Sequence, residues 1–234
     1  MSELIQTNNL TKSYGKEEKL ALKGINITIP RGRIIGLLGP NGSGKTTLIK
    51  LINGLIKPTD GEVLINGEAP GVKSKAAISY LSERPSLPTG KTVNEIIDFY
   101  ADFYEDFDRN KAYGMVESLG IPVQSRIKTL SKGTKEKVQL IMVMSRNAEL
   151  YILDEPIAGV DPAARDYIIR TIITNYSPDA SVLISTHLIS DIENILDDVI
   201  FIKDGDIILS SSVEELRIRE GKSLDSYFRE VFAC

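Results

Sequence analysis

Residues 39–46 constrain this chain most, because their sequence, Gly-Pro-Asn-Gly-Ser-Gly-Lys-Thr, fits the pattern G-x-x-x-x-G-K-[ST]. An apolar run at residues 33–38, typical of a strand, precedes the pattern, and a helix-like run to about Asn53 follows it. Such a glycine-rich stretch could simply cap a helix. The strand before it and the helix after it instead favour a loop whose backbone N–H groups and helix dipole hold a phosphate.

The loop also supplies side chains suited to phosphate chemistry. We expect Lys45 to neutralise the β- and γ-phosphates of a nucleotide and to assist catalysis, and Thr46 to ligate Mg²⁺. The predicted nucleotide-binding residues here are Gly39, Pro40, Asn41, Gly42, Ser43, Gly44, Lys45, Thr46 and Thr47.

Composition narrows the class of protein. The chain has 234 residues, of which 42% are hydrophobic and 26% charged, which is typical of an ordinary globular protein. The net charge is −4 and neither sign forms a long block, so we expect no nucleic-acid partner. Apolar runs fall far short of the ~20 residues that span a bilayer. The only cysteine, Cys234, fits a reducing cytosol, and we expect a cytoplasmic protein.

The first part of the chain predicts several short strands. Residues 4–10 and 24–29 are apolar runs between breakers, and residues 62–65 lie between Asp-Gly and Asn-Gly pairs typical of a hairpin. A further strand is expected at residues 76–81. The polar, proline-containing stretch that follows, to Gly90, predicts a hinge.

A helical segment then begins with a capping box at residues 92–95 and continues to about Ser145. It contains five of the 15 Phe and Tyr residues, at helical spacing: Phe99, Tyr100, Phe103, Tyr104 and Phe107. These rings could form a small helical core or a docking surface for another protein, and we favour the core.

The second half predicts a parallel sheet. Apolar runs at residues 150–153 and 181–185 enclose a helix expected from about Asp161 to Asn175, which is a strand–helix–strand order. Residues 198–203 and 206–209 predict a hairpin. An apolar stripe in the tail should pack against its own domain and comprises Leu224, Tyr227, Phe228, Val231 and Phe232.

Polar residues at the carboxyl ends of these strands complete a candidate site for phosphoryl transfer to water. Asp154 is positioned to hold Mg²⁺ with Thr46, and Glu155 can act as the general base for water. His187 is the only histidine and could be structural, but its place at the same sheet edge favours a γ-phosphate contact. Tyr14 could equally cap the core edge or stack on an adenine.

In order and spacing, these motifs resemble the nucleotide-binding subunits of ATP-binding cassette (ABC) transporters over essentially the full chain. Residues 39–46 match the Walker A motif, 150–155 the Walker B motif with its catalytic glutamate, and 158–161 the D-loop, which includes Asp161. His187 matches the switch histidine, and Tyr14 falls where the family stacks adenine. Residues 130–134, Leu-Ser-Lys-Gly-Thr, resemble the LSGGQ signature, which implies that Ser131, Lys132 and Gly133 contact nucleotide bound by the opposite subunit.

The chain departs from the family pattern at three positions. Lys132 and Thr134 replace the first glycine and the glutamine of the signature, and Glu83 stands where the family usually has the Q-loop glutamine. Glu83 could still ligate Mg²⁺. Similar changes occur among the ATPase subunits of bacterial ABC-2-type exporters, which the overall pattern also resembles.

The resemblance implies an α/β fold: a P-loop NTPase core with a mostly parallel sheet, an N-terminal antiparallel β subdomain and an inserted α-helical subdomain. The expected domains are a RecA-like ATP-binding core at 1–83 and 146–215, the helical signature subdomain at 84–145 and a short helical tail at 216–234.

The resemblance further implies a Mg²⁺-dependent ATPase that dimerises around ATP, as a homodimer or with a paralogue. It would power a separate transmembrane permease, as an exporter, from the cytoplasmic face of the membrane. An ABC ATPase acting on DNA or ribosomes should show a long coiled-coil insertion, a second cassette or a basic surface, and the sequence has none of these. A P-loop kinase or GTPase is disfavoured by residues 130–134 and by the lack of an N-K-x-D motif.

Overall fold

A computed structural model of the chain describes residues 3–15, 20–83, 86–177 and 179–232, so Cys234 lies outside the described residues. The described strands are β1 (Glu3–Ser13), β2 (Leu20–Ile25), β3 (Thr28–Pro30), β4 (Ile34–Leu38), β5 (Asp60–Ile65), β6 (Ile78–Leu81), β7 (Leu150–Asp154), β8 (Ser181–Thr186), β9 (Asp198–Lys203) and β10 (Asp206–Ser212). The described helices are α1 (Lys45–Ile52), α2 (Val72–Ala77), α3 (Val93–Phe103), α4 (Arg109–Ser118), α5 (Lys132–Met144), α6 (Pro162–Asn175), α7 (Ile189–Ile192), α8 (Val213–Glu220) and α9 (Leu224–Phe232), with a 3₁₀ turn at Ile127–Thr129.

The larger sheet has six strands in the order β10–β9–β4–β8–β7–β6. All its pairings are parallel except that of the edge strand β10, which runs antiparallel to β9. Every residue of β4, β7 and β8 is buried, as expected for parallel strands covered on both faces. This confirms the mostly parallel sheet, and β4 lies at its centre between β8 and β9.

A smaller antiparallel sheet is built around β1, which pairs with β2, β3 and β5. This confirms the antiparallel N-terminal part. The hairpin prediction for residues 62–65 was wrong, because β5 pairs with β1, with Ile65 opposite Ile5. Asn66 and Gly67 do form a tight turn with φ of 54° and 76°, but only a single bridge, Ile65 to Glu68, follows it. Burial of alternate β5 side chains against the core favours the distant partner.

Two predicted boundaries also shift. The strand expected at 76–81 begins at Ile78, because Ala76 and Ala77 end α2. The capping box is confirmed: the Glu95 N–H donates to Thr92 Oγ1, and the Thr92 N–H donates to the Glu95 carboxylate at 2.7 Å. The helix it begins, α3, ends at Phe103, so Phe107 lies beyond it.

The aromatic residues of the helical segment divide between two environments. Phe107 is buried, and Tyr100 and Tyr104 are half-buried against the hydrophobic core, as the core interpretation predicts. Phe99 and Phe103 are instead exposed, with 68% of Phe103 accessible, and their rings stack at a centroid distance of 6.2 Å. Helical spacing predicts a stripe of side chains but does not say which of them a neighbour will cover.

Arg146 fixes the helical segment to the larger sheet. It is only 3% exposed, and its Nε and Nη2 atoms donate to both oxygens of Asp106 at 2.9 and 3.0 Å. The guanidinium also donates to the carbonyl oxygens of Ile78 and Ala76 and lies 3.9 Å from the ring centroid of Tyr104. A buried charge is stable only with such partners.

The tail packs as predicted, because Phe201 of β9 contacts the rings of Tyr227, Phe228 and Phe232 on α9. The division into 1–83 with 146–215, 84–145 and 216–234 stays a prediction. Within the described ranges, no helix is both long enough and apolar enough to cross a membrane.

Candidate functional site

The loop at residues 39–44 joins the carboxyl end of β4 to α1, and its shape requires glycine. A Cβ on Gly39 would lie 2.2 Å from the carbonyl oxygen of Ile202 on β9. Gly44 has a φ of +115°, and a Cβ there would lie 2.7 Å from the carbonyl oxygen of Ala21. The loop backbone therefore lies so close to the backbone of neighbouring strands that a side chain at these two positions would not fit.

Lys45, the first residue of α1, is held inside this loop. It is 6% exposed, and its Nζ donates to the carbonyl oxygens of Gly39 at 2.7 Å and Pro40 at 3.1 Å. The Nζ also lies 3.9 Å from Oε1 of Glu155. Burial lowers the pKa of Lys45, and the nearby carboxylates, that of Glu155 first, oppose this shift. The ammonium is thus positioned among loop oxygens that an anion could replace.

Asp154 ends β7 and is almost completely buried. Its Oδ1 accepts a 2.5 Å hydrogen bond from Ser185 Oγ on β8, while its buried Oδ2 has no hydrogen-bond partner among the described residues. Ser185 Oγ also accepts from the backbone N–H of Glu155 at 3.1 Å. Sequence reasoning missed this role of Ser185. The available signal was a serine near the end of an apolar strand, but its pairing with Asp154 depends on strand register.

Glu155 and His187 lie in contact at the carboxyl edge of the larger sheet. His187 Nδ1 lies 3.0 and 3.2 Å from the two carboxylate oxygens of Glu155. Glu155 has a φ of 52°, a left-handed conformation that is uncommon outside glycine. Such strain is often found at functional sites, and here it accompanies the turn that follows β7.

A cavity of about 450 Å³, the P-loop cavity, collects nine of the predicted site residues. It is lined by Ala21, Asn41, Gly42, Gly44, Lys45, Thr46, Thr47, Glu83, Glu155, Ala158 and His187. Asp154 lines an adjoining cavity of about 40 Å³ together with Glu83 and Glu155. Tyr14 does not line the P-loop cavity; it is half-exposed, with Lys12 Nζ 5.4 Å from its ring centroid.

The predicted signature residues lie elsewhere, in a cavity of about 420 Å³ that we call the signature cavity. Its lining includes Ser131, Lys132, Gly133 and Asp161. Ser131 caps α5, where its Oγ accepts the Thr134 N–H at 3.1 Å and lies 2.8 Å from Thr134 Oγ1. One chain therefore does not bring its signature residues to its own phosphate loop.

The oxygen ligands at the sheet edge fit Mg²⁺. Among the described residues, no group of three or more acidic, histidine or cysteine side chains is arranged to hold a metal ion. Mg²⁺ does not need one, because it commonly keeps several waters and binds through one or two carboxylates plus phosphate oxygens. The unpartnered Oδ2 of Asp154 and the Thr46 hydroxyl, with Glu83 lining both neighbouring cavities, offer such a donor set.

Comparison with known proteins gives the same assignment as the motifs. The sequence model of the family described as "ABC transporter" matches residues 22–158. SkfE of Bacillus subtilis, a SkfA peptide export ATP-binding protein, is 32% identical, with 88% of each chain covered. SrtF of Streptococcus pyogenes, a lantibiotic transport ATP-binding protein, is 28% identical over 91% of this chain and 95% of its own.

A solved structure of an ATP-binding subunit of an ABC transporter superposes on nearly the whole molecule. Its TM-score is 0.87 at 26% identity, and the alignment covers 97% of this chain and 98% of that one. The chain therefore belongs to the ABC transporter family, as an ATP-binding subunit that hydrolyses ATP and works with a membrane permease.

Proposed function

We propose that two subunits close around two ATP molecules, each with Mg²⁺, and that hydrolysis at the P-loop cavity drives export through a separate permease. The observation that carries this proposal is the convergence of Lys45, Asp154 and Glu155 at one sheet edge, beside the phosphate loop. Export is supported by the names of the relatives SkfE and SrtF, which are a peptide export and a lantibiotic transport protein.

Lys45 and the loop backbone bind the β- and γ-phosphates in this proposal. The Nζ of Lys45 exchanges its contacts with the carbonyls of Gly39 and Pro40 for phosphate oxygens, which are better partners for an ammonium. Thr46, Asp154 and Glu83 would hold Mg²⁺, which would offset the negative charge of the phosphates. Ser185 keeps the Asp154 carboxylate in place by its hydrogen bond.

Glu155 acts as the general base. Its carboxylate accepts a proton from the attacking water, and its side chain, mostly buried beside Lys45, is positioned for that transfer. His187 contacts the same carboxylate and, being more exposed, can reach the γ-phosphate. Tyr14, which directly follows β1, provides a ring face for the adenine.

The second half of each site comes from the other subunit. Ser131, Lys132 and Gly133, with Asp161 nearby, line the signature cavity and lie apart from the phosphate loop of their own chain. Bringing them over a bound nucleotide therefore requires a second subunit, whose α5 amides and serine hydroxyl donate to the phosphate oxygens.

The permease is expected to dock on the helical segment, where Phe99 and Phe103 are exposed as a stacked pair. Exposed aromatic clusters of this kind often mark protein–protein contacts. The subunit would thus be held at the cytoplasmic face of the membrane through its partner.

A complementation experiment tests the composite site. Lys45→Ala removes the phosphate-binding charge, and Ser131→Arg removes a donor and blocks closure; loss of one such donor typically costs ~10²–10³ in rate. Each variant alone should be inactive. In a mixed dimer, the loop of the Ser131→Arg subunit faces the signature of the Lys45→Ala subunit, so one intact site is restored and hydrolysis should return.

The matched control is a mixture of Lys45→Ala with a subunit that carries both substitutions, in which no intact site can form. It should stay inactive in the same ATPase assay. Normal hydrolysis by Ser131→Arg alone, or a wild-type specific activity that stays constant over wide dilution, would contradict the two-subunit site and favour a self-contained ATPase.

A further inference from the structure

The P-loop cavity and its small neighbour carry more acidic than basic groups. Among the residues that the structure describes, Glu83, Glu136, Asp154 and Glu155 line these two cavities, and Lys45 supplies their one ammonium. Glu83 is exposed and has no ion-pair partner among the described residues. Burial raises the pKa of the nearby Tyr80 hydroxyl to about 12, and the carboxylates of Asp154 and Glu83 add to this shift. Mg-ATP is itself a net anion and does not relieve this repulsion, and a Glu83 carboxylate that gives one oxygen to Mg²⁺ keeps a second oxygen for a cation from outside the chain.

Lys132 is such a cation. It is the first residue of α5, and 80% of its side chain is exposed. Its Nζ lies 3.9 Å from Glu136, a loose pair of a kind that contributes little in water. The surface beside it is open, because a Cβ on Gly133 would meet no atom within 4 Å. Lys132 is therefore available to a partner at little energetic cost.

Within one subunit Glu83 and Lys132 line different cavities. In the dimer of the proposed function, on which this step depends, Ser131 and Gly133 of one subunit lie over the phosphates bound by the other. Lys132 stands between them in sequence, so closure carries its ammonium to the partner's P-loop cavity, where Glu83 lines the wall.

We propose that Lys132 forms an ion pair with Glu83 of the opposite subunit, once in each of the two sites, and that this pair selects a second copy of this chain as the partner. Two-fold symmetry makes the arrangement self-complementary, because each subunit contributes one carboxylate and one ammonium. A partner without a cation at this position would leave the acidic cavity of this chain unrelieved, which disfavours mixed assembly.

Charge reversal gives a direct test of this pairing. In a Glu155→Gln background, which should keep ATP-bound dimers from turning over, Glu83→Lys puts two cations opposite each other in both sites of its dimer. Lys132→Glu likewise puts two carboxylates opposite each other. A mixture of the two variants places opposite charges together in both sites. Each variant alone should dimerise at least ~10-fold more weakly in Mg-ATP, and the mixture should recover, as measured by analytical ultracentrifugation with one variant labelled.

Lys135→Glu is the matched control, because it makes the same charge change on α5 at a residue that does not line the signature cavity. On its own it should dimerise like the Glu155→Gln parent, and mixed with labelled Glu83→Lys it should not bring the labelled subunit into dimers. Binding of a fluorescent ATP analogue to each monomer is measured in the same samples. If Glu83→Lys loses nucleotide binding, a double-mutant cycle of Glu83→Gln, Lys132→Met and the double variant decides instead. The double variant should then lose no more dimerisation affinity than either single variant.

Additive losses in that cycle, or charge-reversed monomers that bind nucleotide but do not associate when mixed, would overturn the ion pair. A different result would contradict the proposed two-subunit function, namely a Glu155→Gln parent that remains monomeric in Mg-ATP. The two results are therefore distinguishable in one experiment.

Discussion

Replacing Arg146 with methionine should strongly destabilise the fold, because this side chain is the charged link between the helical segment and the larger sheet. Methionine keeps an unbranched apolar stem but leaves Asp106 and the carbonyls of Ile78 and Ala76 without their donor. Breaking a buried ion pair by removing one partner costs ~3–5 kcal/mol. Loss of the stacking on Tyr104 adds to this.

The prediction is measured as a free energy of unfolding from urea titrations followed by circular dichroism. For a domain of this size, each kcal/mol lowers Tm by about 2–4 °C, so the melting temperature should fall by roughly 6–20 °C. Arg109→Met is the matched control: Arg109 also pairs with two carboxylates, Asp98 and Asp102, but is 44% exposed. Its loss should cost at most ~1 kcal/mol. Equal losses for the two variants would refute the reasoning that burial sets the value of the Arg146 contacts.

Two further predictions concern the site and the docking surface. Glu155→Gln should bind ATP and form an ATP-dependent dimer on size-exclusion chromatography but lose turnover, since an amide cannot accept the proton of water. Near-normal turnover would show that Glu155 is not the base. Phe103→Asp should leave folding and ATP binding unchanged while abolishing transport with the permease. Ile218→Asp, a change at a similarly exposed apolar position on α8, should leave transport intact. Unfolding of the Phe103 variant would instead assign the ring to the core.

The sequence predicts those parts of the fold that depend on local pattern. Continuous apolar runs predicted the buried parallel strands β4, β7 and β8, and the spacing of polar residues predicted the capping box of α3. The pairing of β5 with β1 was missed, because it joins segments that are distant in the chain, and the Asn-Gly turn next to β5 favoured a local partner. Long-range strand pairing depends on which side chains become buried in the complete fold, and a short stretch of sequence does not carry that information.

The same division applies to the candidate site. The phosphate loop and the carboxylates at the end of β7, Asp154 and Glu155, were predicted from their motifs, and the roles given to them stay predictions. The hydrogen bond from Ser185 to Asp154 was not foreseen, because it needs the register of β7 against β8. Helical spacing alone likewise did not decide whether Phe99 and Phe103 are buried or exposed, because an aromatic stripe can either pack into a core or form a docking surface.

The central place of β4 has a consequence for synthesis on the ribosome. The phosphate loop is made early, yet the strand that carries it pairs with β8 and β9, which are made late. The Ile34 N–H likewise donates to a carboxylate 163 positions later, that of Asp197. Until those strands emerge, the nascent chain carries a wholly apolar strand with free edges, which is prone to aggregate. ATP binding by the nascent chain should therefore begin only after β9 has left the exit tunnel, late in translation.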